Sequence, residues 1–285
     1  MSSILIVIDH DNLDLDALVK NNTILSADDT YKEVTTIDVF LNYLISDPFE
    51  LDYKLNKIYT IIREKCEYQV SINVFFKHEN LKLDKILAYP YTKTFLSENT
   101  SLSIPHSPYK EYVNKTKINY QQEISSSTKF YNAKCFDISA VGGTFDHIHD
   151  GHKILLSISI FLTKVKLIIG LTAEKLLVNK KFKDQLESFE VRKNNVLKFL
   201  NYVGKSLVFD ILPINDVCGP TGYEPNIQAL IVSKETEAGG QTINKVRKEK
   251  ALRELDVFVV DILGGNEKLS STTLRQLQYE KLNKL

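Results

Sequence analysis

In the first third of the chain, the spacing of apolar residues predicts both strands and helices. The apolar run Ile4–Ile8 and an alternating stretch over residues 70–76 predict strands. Between them, the spacing of apolar residues predicts helices over Ile37–Leu44 and Leu51–Ile62. Residues 1–97 are therefore expected to form a small α/β region, whose role the sequence does not reveal.

A polar linker and a larger α/β domain account for the rest of the chain. Residues 98–134 are rich in Ser, Thr, Asn, Lys and Tyr, and two prolines interrupt any helix, which indicates a linker. In residues 135–285, apolar runs of strand length alternate with amphipathic stretches of helical length. The predicted strands are 136–141, 165–171, 207–212, 229–232 and 257–263, and the predicted helices are 151–162, 189–203, 241–255 and 271–282. This alternation predicts a Rossmann-like domain with a five-stranded parallel sheet, which binds its ligand at the carboxyl ends of the strands.

Charge and cysteine content narrow the possible classes. Lys+Arg and Asp+Glu both number 36, which argues against a nucleic-acid partner because such domains are usually basic. Cys66, Cys135 and Cys218 are too far apart for a metal or redox pair, which favours reduced thiols in an intracellular protein. No apolar run approaches the ~18 residues of a membrane helix, and Ile4–Ile8 is too short for a signal peptide. We therefore expect a cytoplasmic protein, with the nucleus as a second location, and no membrane partner.

The strongest chemical signal is the turn at residues 142–152, between the first strand and the first helix of the larger domain. Gly142-Gly143 allows a tight turn, and Gly151 lets a ligand approach the helix start. Free N–H groups and the positive end of the helix dipole favour phosphate there. His149 and His152 are three residues apart, so both rings should face the same phosphates. One such histidine is usually a cap or a surface residue, whereas two of them after this turn favour a site.

Three segments carry a resemblance to a known family. Gly143-Thr144-Phe145-Asp146 and His149-Asp150-Gly151-His152 match the G-T-F-D and H-x-G-H signatures of adenylyl- and cytidylyltransferases. Residues 269–275, Leu-Ser-Ser-Thr-Thr-Leu-Arg, match the family's late I-S-S-T-x-x-R signature except for the first residue. Residues 232–247 resemble the V-S-x-E-T…G-G…I-N-x-x-R stretch of the eukaryotic and archaeal type of phosphopantetheine adenylyltransferase. The resemblance covers about 150 residues, from Phe136 to the C-terminus.

The resemblance implies a reaction, a metal and partners. AMP would pass from ATP to 4′-phosphopantetheine, giving dephospho-coenzyme A and pyrophosphate, in the penultimate step of coenzyme A biosynthesis. The attacking phosphate is already an anion, so alignment and charge stabilisation, not a general base, would carry catalysis. Mg²⁺ would be bound to the triphosphate, with no metal site of the protein's own. No G-x-x-x-x-G-K-[ST] phosphate loop occurs, so a single activity is expected, as in the fungal type without a fused kinase. Other coenzyme A pathway enzymes are candidate partners.

The same resemblance implies the residues of the site. His152 would stabilise the α-phosphate in the transition state, and His149 would contact the phosphate chain. The bridging lysine has two leading candidates, Lys180 and Lys181, with Lys183 as a third. The residues expected at the ATP site are Gly142, Gly143, Thr144, Phe145, His149, Gly151, His152, Ser270, Ser271, Thr272 and Arg275. The residues expected at the acceptor site are Thr144, Lys180, Lys181, Lys234, Glu235, Asn244 and Arg247.

Three alternatives stay open. A cytidylyltransferase would share H-x-G-H, but its late motif usually reads R-T-x-G-I-S-T-T, which residues 268–271 do not match. A nicotinamide mononucleotide adenylyltransferase would share the fold, although residues 233–236, Ser-Lys-Glu-Thr, argue against it. A non-catalytic scaffold would also keep the fold.

The loop at residues 216–221 departs from the family's D-P-aromatic-G-P-T, because Val217 and Cys218 replace the proline and the aromatic residue.

Overall fold

A computed structural model describes residues 2–9, 34–77, 86–97, 102, 110–113, 132–204, 207–261 and 269–283. The chain forms two compact units, the first made of residues 1–46 and 57–130 and the second of residues 47–56 and 131–285. This division differs from the predicted domains in two places. Helix α1, Pro48–Arg63, contributes residues to both units, and a short strand, Lys110–Val113, lies inside the predicted linker.

The first unit contains a parallel sheet with the strand order β3-β2-β1-β4-β5. Its strands are β1 Ser2–Ile8, β2 Val34–Leu44, β3 Ser71–Lys77, β4 Lys93–Ser97 and β5 Lys110–Val113. The central strand β1 pairs with β2 on one side and with β4 on the other, so that Ile6 lies opposite both Val39 and Phe95. These three side chains are buried and belong to the core of the unit.

Strand β2 shows that the helix predicted over Ile37–Leu44 is wrong. Apolar residues at positions 37, 40, 41 and 44 have the spacing of a helix face. In the structure, β2 lies between β1 and β3, and residues 37–41 are all buried. A strand covered on both faces need not alternate, and its Thr, Ile, Val and Phe residues favour extended backbone. The helix predicted over Leu51–Ile62 is confirmed as α1.

The second unit confirms the predicted Rossmann-like domain with a five-stranded parallel sheet, whose strand order is β10-β9-β6-β7-β8. The strands are β6 Phe136–Gly143, β7 Thr163–Thr172, β8 Val208–Ile214, β9 Ala229–Ser233 and β10 Asp256–Val260. The helices are α2 Asp150–Leu162, α3 Phe189–Val203, α4 Glu237–Glu249 and α5 Ser271–Leu282. Helix α4 begins and ends earlier than the predicted 241–255, and its early end is followed by Ala251, which adopts left-handed backbone with φ of 55°. Within the described ranges, no helix is both long and apolar enough to cross a membrane.

The order of the strands places a crevice beside β6. From β6 the chain proceeds to β7 and β8 on one side, and then returns to β9 on the other side. Ligands bind at such a switch point, outside the carboxyl ends of the strands. Helix α2 starts directly after the turn that follows β6, and Ile154, Leu156 and Ile158 are almost fully buried. Burial of each of these side chains stabilises the fold by roughly 1.5–3 kcal/mol, which fixes the start of α2 at the crevice.

Candidate active site

A cavity of about 240 Å³ opens at this crevice, beside the ends of β6 and β9 and the starts of α2 and α5. Its walls include every residue that was predicted for the ATP site. The described residues that line it are Gly142, Gly143, Thr144, Phe145, His149, Gly151, His152, Leu155, Lys180, Ser233, Glu235, Thr236, Ser270, Ser271, Thr272 and Arg275. The structure thus brings together two motifs that lie more than 100 residues apart in sequence, while their role in ATP binding stays a prediction.

The two histidines of the H-x-G-H motif face each other at the start of α2. Their ring centroids are 3.9 Å apart, and the ring of Phe145 lies 5.2 Å from that of His152. His149 occupies the N-cap position, yet its side chain makes no capping hydrogen bond. Burial, and then the charge of His149, lower the pKa of His152 well below its ordinary value of 6.5. The His152 ring is therefore neutral at neutral pH, and its Nδ1 has no hydrogen-bond partner among the described residues.

The start of α5 contributes hydroxyl groups and one arginine. Ser270 is the N-cap, and its hydroxyl accepts a hydrogen bond from the backbone N–H of Thr273 at 3.2 Å. Arg275 is only 1% exposed and forms an ion pair with the buried carboxylate of Asp146. Its other nitrogens donate to the carbonyl of Lys181 at 3.0 Å and to the hydroxyl of Thr272 at 3.1 Å. Arg275 therefore lines the cavity and also ties α5 to the turn after β6.

The three candidate lysines occupy different positions. Lys180 lines the cavity. Lys181 is exposed and contributes its backbone carbonyl to Arg275, and Lys183 begins a short 3-10 turn outside the cavity lining. Among these three, only Lys180 lines the cavity, and the bridging role stays a prediction.

The predicted acceptor-site residues separate into two groups. Glu235 and its neighbour Lys234 are both exposed just after β9, but only Glu235 lines the cavity. Asn244 is bonded through both side-chain atoms to the backbone of Leu255, at 3.0 and 2.8 Å. Arg247 is buried and donates to the carbonyls of three residues that do not line the cavity, namely Thr221, Glu224 and Arg253. A substrate-binding role for Asn244 and Arg247 stays a prediction, and the structure gives both residues a role in packing α4.

Three further residues, Asp146, Glu187 and Arg192, surround the site without lining the cavity. Asp146 is fully buried under the turn after β6, and its carboxylate also accepts a hydrogen bond from the backbone N–H of Glu187 at 2.9 Å. Arg192 on α3 is fully buried and reaches the same turn. Burial lowers the pKa of Arg192, while the nearby carboxylates of Asp146, Glu187 and Glu174 act in the opposite direction. Of the three, only Asp146 gave a signal in the sequence, as the Asp of G-T-F-D.

The donor set of the cavity suits a metal that arrives with its ligand. No group of three or more His, Cys, Asp or Glu in the described residues is arranged to hold a metal ion. Glu235 is the one carboxylate among the described residues of the cavity wall. Mg²⁺ usually keeps several waters and binds through one or two carboxylates plus substrate phosphates. The residues present therefore fit a magnesium ion held mainly by a bound polyphosphate.

The geometry and the comparisons with known proteins agree on a class. The Cytidylyltransferase-like family model matches residues 140–277, which include the whole cavity. Two helix starts that meet at the switch point of a parallel sheet, one with paired histidines and one with hydroxyls and an arginine, define a nucleotidyltransferase of the H-x-G-H class. The chain is 38% identical over 257 residues to phosphopantetheine adenylyltransferase of Saccharomyces cerevisiae, covering 85% of this chain and 82% of the yeast protein. This chain belongs to the phosphopantetheine adenylyltransferase family.

Two more relatives define how far the similarity extends. The chain is 34% identical over 137 residues to phosphopantetheine adenylyltransferase of Pyrococcus abyssi, covering 47% of this chain and 86% of the archaeal protein. It is also 33% identical over 221 residues to an uncharacterized protein of Schizosaccharomyces pombe, covering 72% of this chain and 65% of that protein. The archaeal relative thus matches less than half of this chain, whereas both fungal relatives match more than two thirds of it.

Proposed function

We propose that this chain transfers AMP from ATP to 4′-phosphopantetheine. An oxygen of the acceptor phosphate attacks the α-phosphorus of ATP, and the bond from that phosphorus to the bridging oxygen of the β-phosphate breaks. Dephospho-coenzyme A forms and pyrophosphate leaves. The attacking oxygen is already anionic, so the protein needs to align the two phosphates and offset the charge that accumulates between them.

The observation that carries this proposal is that two helix starts share one cavity. Residues at the start of α2 and at the start of α5 both border it, and each start offers free N–H groups and the positive end of a helix dipole. A triphosphate has enough negative oxygens to engage both starts at once. The H-x-G-H side suits the α-phosphate, and the Ser270–Arg275 side suits the β- and γ-phosphates.

Individual roles follow from position. His152 donates a hydrogen bond to the α-phosphate and gains positive character as the phosphate approaches, since a nearby anion raises the pKa of an imidazole. His149 contacts the phosphate chain, and Thr144 orients the attacking phosphate. Lys180 bridges the acceptor phosphate and the α-phosphate. Lys234 and Glu235, just after β9, are assigned to the acceptor.

Magnesium accompanies the nucleotide in this proposal. Glu235 is the carboxylate available in the cavity wall, and the remaining ligands of the ion would be phosphate oxygens and water. When bound, the ion neutralises charge on the triphosphate.

A substrate panel tests the reaction. Purified protein is given ATP or CTP with either 4′-phosphopantetheine or nicotinamide mononucleotide, and pyrophosphate release is measured. The expected result is release with ATP and 4′-phosphopantetheine together. Release with CTP in place of ATP, or with the mononucleotide as the better acceptor, would overturn the proposal, and so would binding of both proposed substrates without turnover.

Variants test the assigned roles. His152→Ala should lower the rate by roughly 10²–10³-fold, as the loss of other charge-stabilising donors does. Lys180→Met should lower kcat more than Lys181→Met, because only Lys180 borders the cavity. Lys198→Met is a matched control, since it removes another exposed lysine of the second unit away from the cavity. Normal turnover of His152→Ala would remove His152 from the mechanism.

A cytoplasmic location, with the nucleus as a second compartment, belongs to the same proposal. None of the three cysteines forms a disulfide, as is usual for proteins of reducing compartments. Association with other enzymes of coenzyme A synthesis stays a prediction.

A further inference from the structure

The turn that carries the G-T-F-D motif has a strained backbone. Phe145 and His147 both adopt left-handed conformations, with φ of 49° and 44°. Residues with a Cβ avoid this region, and they keep such a conformation only where their surroundings hold it in place. The turn lies between β6 and α2, so any relaxation of it would displace Thr144 from the cavity wall.

A neighbouring loop holds the turn from outside the cavity. The backbone N–H of His147 donates to the Glu187 carboxylate at 2.7 Å, and the His147 ring bonds to the carbonyl of Gln185, also at 2.7 Å. In return, the backbone N–H of Glu187 donates to Asp146. The turn and the loop therefore fix each other, and the same loop carries Lys180 a few residues earlier.

Arg192 connects this pair of segments to a third one. Its Nε donates to the carbonyl of Glu187 at 3.1 Å. One terminal nitrogen donates both to the carbonyl of Thr144 at 2.8 Å and to that of Thr172 at 3.0 Å. Thr144 follows β6 and Thr172 ends β7, so a single guanidinium spans two strand ends and the lysine loop.

We propose that Arg192 and Glu187 are positioning residues for nucleotidyl transfer, which set the placement of Thr144 and Lys180 on either side of the reacting phosphates. Neither residue lines the cavity, and both bond to backbone groups of the turn and the loop. They act by holding the strained turn and the loop of residues 180–187 in fixed positions relative to each other. This assignment rests on the proposed function.

A positioning role and a merely structural role predict different kinetics. A misplacement of about 1 Å in reacting groups can cost roughly 10²-fold in rate, although ground-state binding of ATP survives through the two helix starts. A structural defect would instead lower the fraction of folded protein and reduce every activity in proportion.

The experiment compares variants of the full chain. Arg192→Met keeps the length of the side chain but removes the donors, and Arg192→Lys restores one of them. Glu187→Gln replaces one carboxylate oxygen of a half-buried residue by an amide, so this variant should fold even if Arg192→Met does not. Arg63→Met is the matched control, since Arg63 also donates to backbone carbonyls, those of Glu67 and Val70, but in the first unit. For each protein, kcat, both KM values, the dissociation constant for ATP and the thermal transition are measured.

The expected result is a fall in kcat of roughly 10²-fold for Arg192→Met, with the affinity for ATP nearly unchanged. Arg192→Lys should be intermediate, Glu187→Gln should show a smaller fall in kcat, and Arg63→Met should match the wild type in kcat. If the wild type is active and both Arg192→Met and Glu187→Gln have the same kcat per folded molecule as the wild type, the assignment alone is overturned. An inactive wild type would overturn the proposed function and the assignment with it.

Discussion

Replacement of Asp52 by asparagine should change how the stability of the second unit depends on pH. Asp52 lies on the part of α1 that belongs to this unit and is only 4% exposed. Its carboxylate accepts hydrogen bonds from the backbone N–H of Asp261 at 2.9 Å and from the Asn56 amide at 2.8 Å. Close by, the rings of Phe49 and Phe258 pack 4.8 Å apart, so this segment docks at the end of β10.

Burial is the main cause that raises the pKa of Asp52 from 3.8 to about 7, and the charge of Asp261 adds to it. The hydrogen bonds from Asp261 and Asn56 act in the opposite direction but do not cancel the effect of burial. Since the folded pKa lies above the unfolded one, the folded protein binds more protons between these values. The stability that protonated Asp52 contributes is then fully present below about pH 3.8 and is lost as the pH rises through about 7.

The size of the effect follows from linkage. Over the range from about pH 5.5 to about pH 7, each pH unit removes about 1.36 kcal/mol, so the wild type should lose roughly 2 kcal/mol from this group by about pH 8. The asparagine of the variant does not titrate, so the free energy of unfolding of Asp52→Asn relative to wild type should rise by roughly 2 kcal/mol between these pH values. In a domain of this size, that difference corresponds to roughly 4–8 °C in Tm.

The assay is thermal or urea unfolding followed by circular dichroism, because the chain contains no tryptophan. Wild type and Asp52→Asn are compared at about pH 5.5 and about pH 8, and Asp137→Asn serves as a control that removes an exposed carboxylate of the same unit. The control should follow the pH dependence of the wild type. A difference between Asp52→Asn and wild type that stays constant with pH would refute the reasoning.

The remaining predictions concern the cavity. Because His152 is neutral in the free protein, ATP binding at a pH near 6.5, the ordinary pKa of a histidine, should take up protons. Calorimetry in buffers of different ionisation enthalpy measures this uptake, and binding without uptake would contradict the prediction. Gly143→Ala places a Cβ 3.1 Å from the Phe145 ring, so kcat should fall while circular dichroism is unchanged, and normal turnover would show that the ring moves aside. Asp146→Asn removes the partner of buried Arg275 and should cost roughly 3–5 kcal/mol in urea unfolding; a loss below about 1 kcal/mol would mean that another group satisfies the guanidinium.

The parts of the site that depend on local structure were predictable from the sequence. A strand, a glycine turn and a helix place their ligand groups at one edge of a parallel sheet whatever the details of packing. His149 and His152 were expected at this edge from the turn itself, whereas Ser270 was expected there from the family resemblance, and all three line one cavity. The choice among the lysines was not local. Lys180 lines the cavity, and the carbonyl of its neighbour Lys181 accepts from Arg275, which lies 94 residues further along the chain.

Two buried arginines show why the rest was not predictable. Arg192 and Arg247 each occur on an amphipathic helix among charged neighbours, where an arginine normally faces water. Both are instead fully buried, because each guanidinium finds backbone carbonyls that are left over where strands and loops end. Those acceptors come from distant segments, such as Thr144 for Arg192 and Thr221 for Arg247, so the pattern along the helix does not show that either arginine is buried. The carbonyls that the two arginines contact also differ in position, because Thr144 borders the cavity and Thr221 does not.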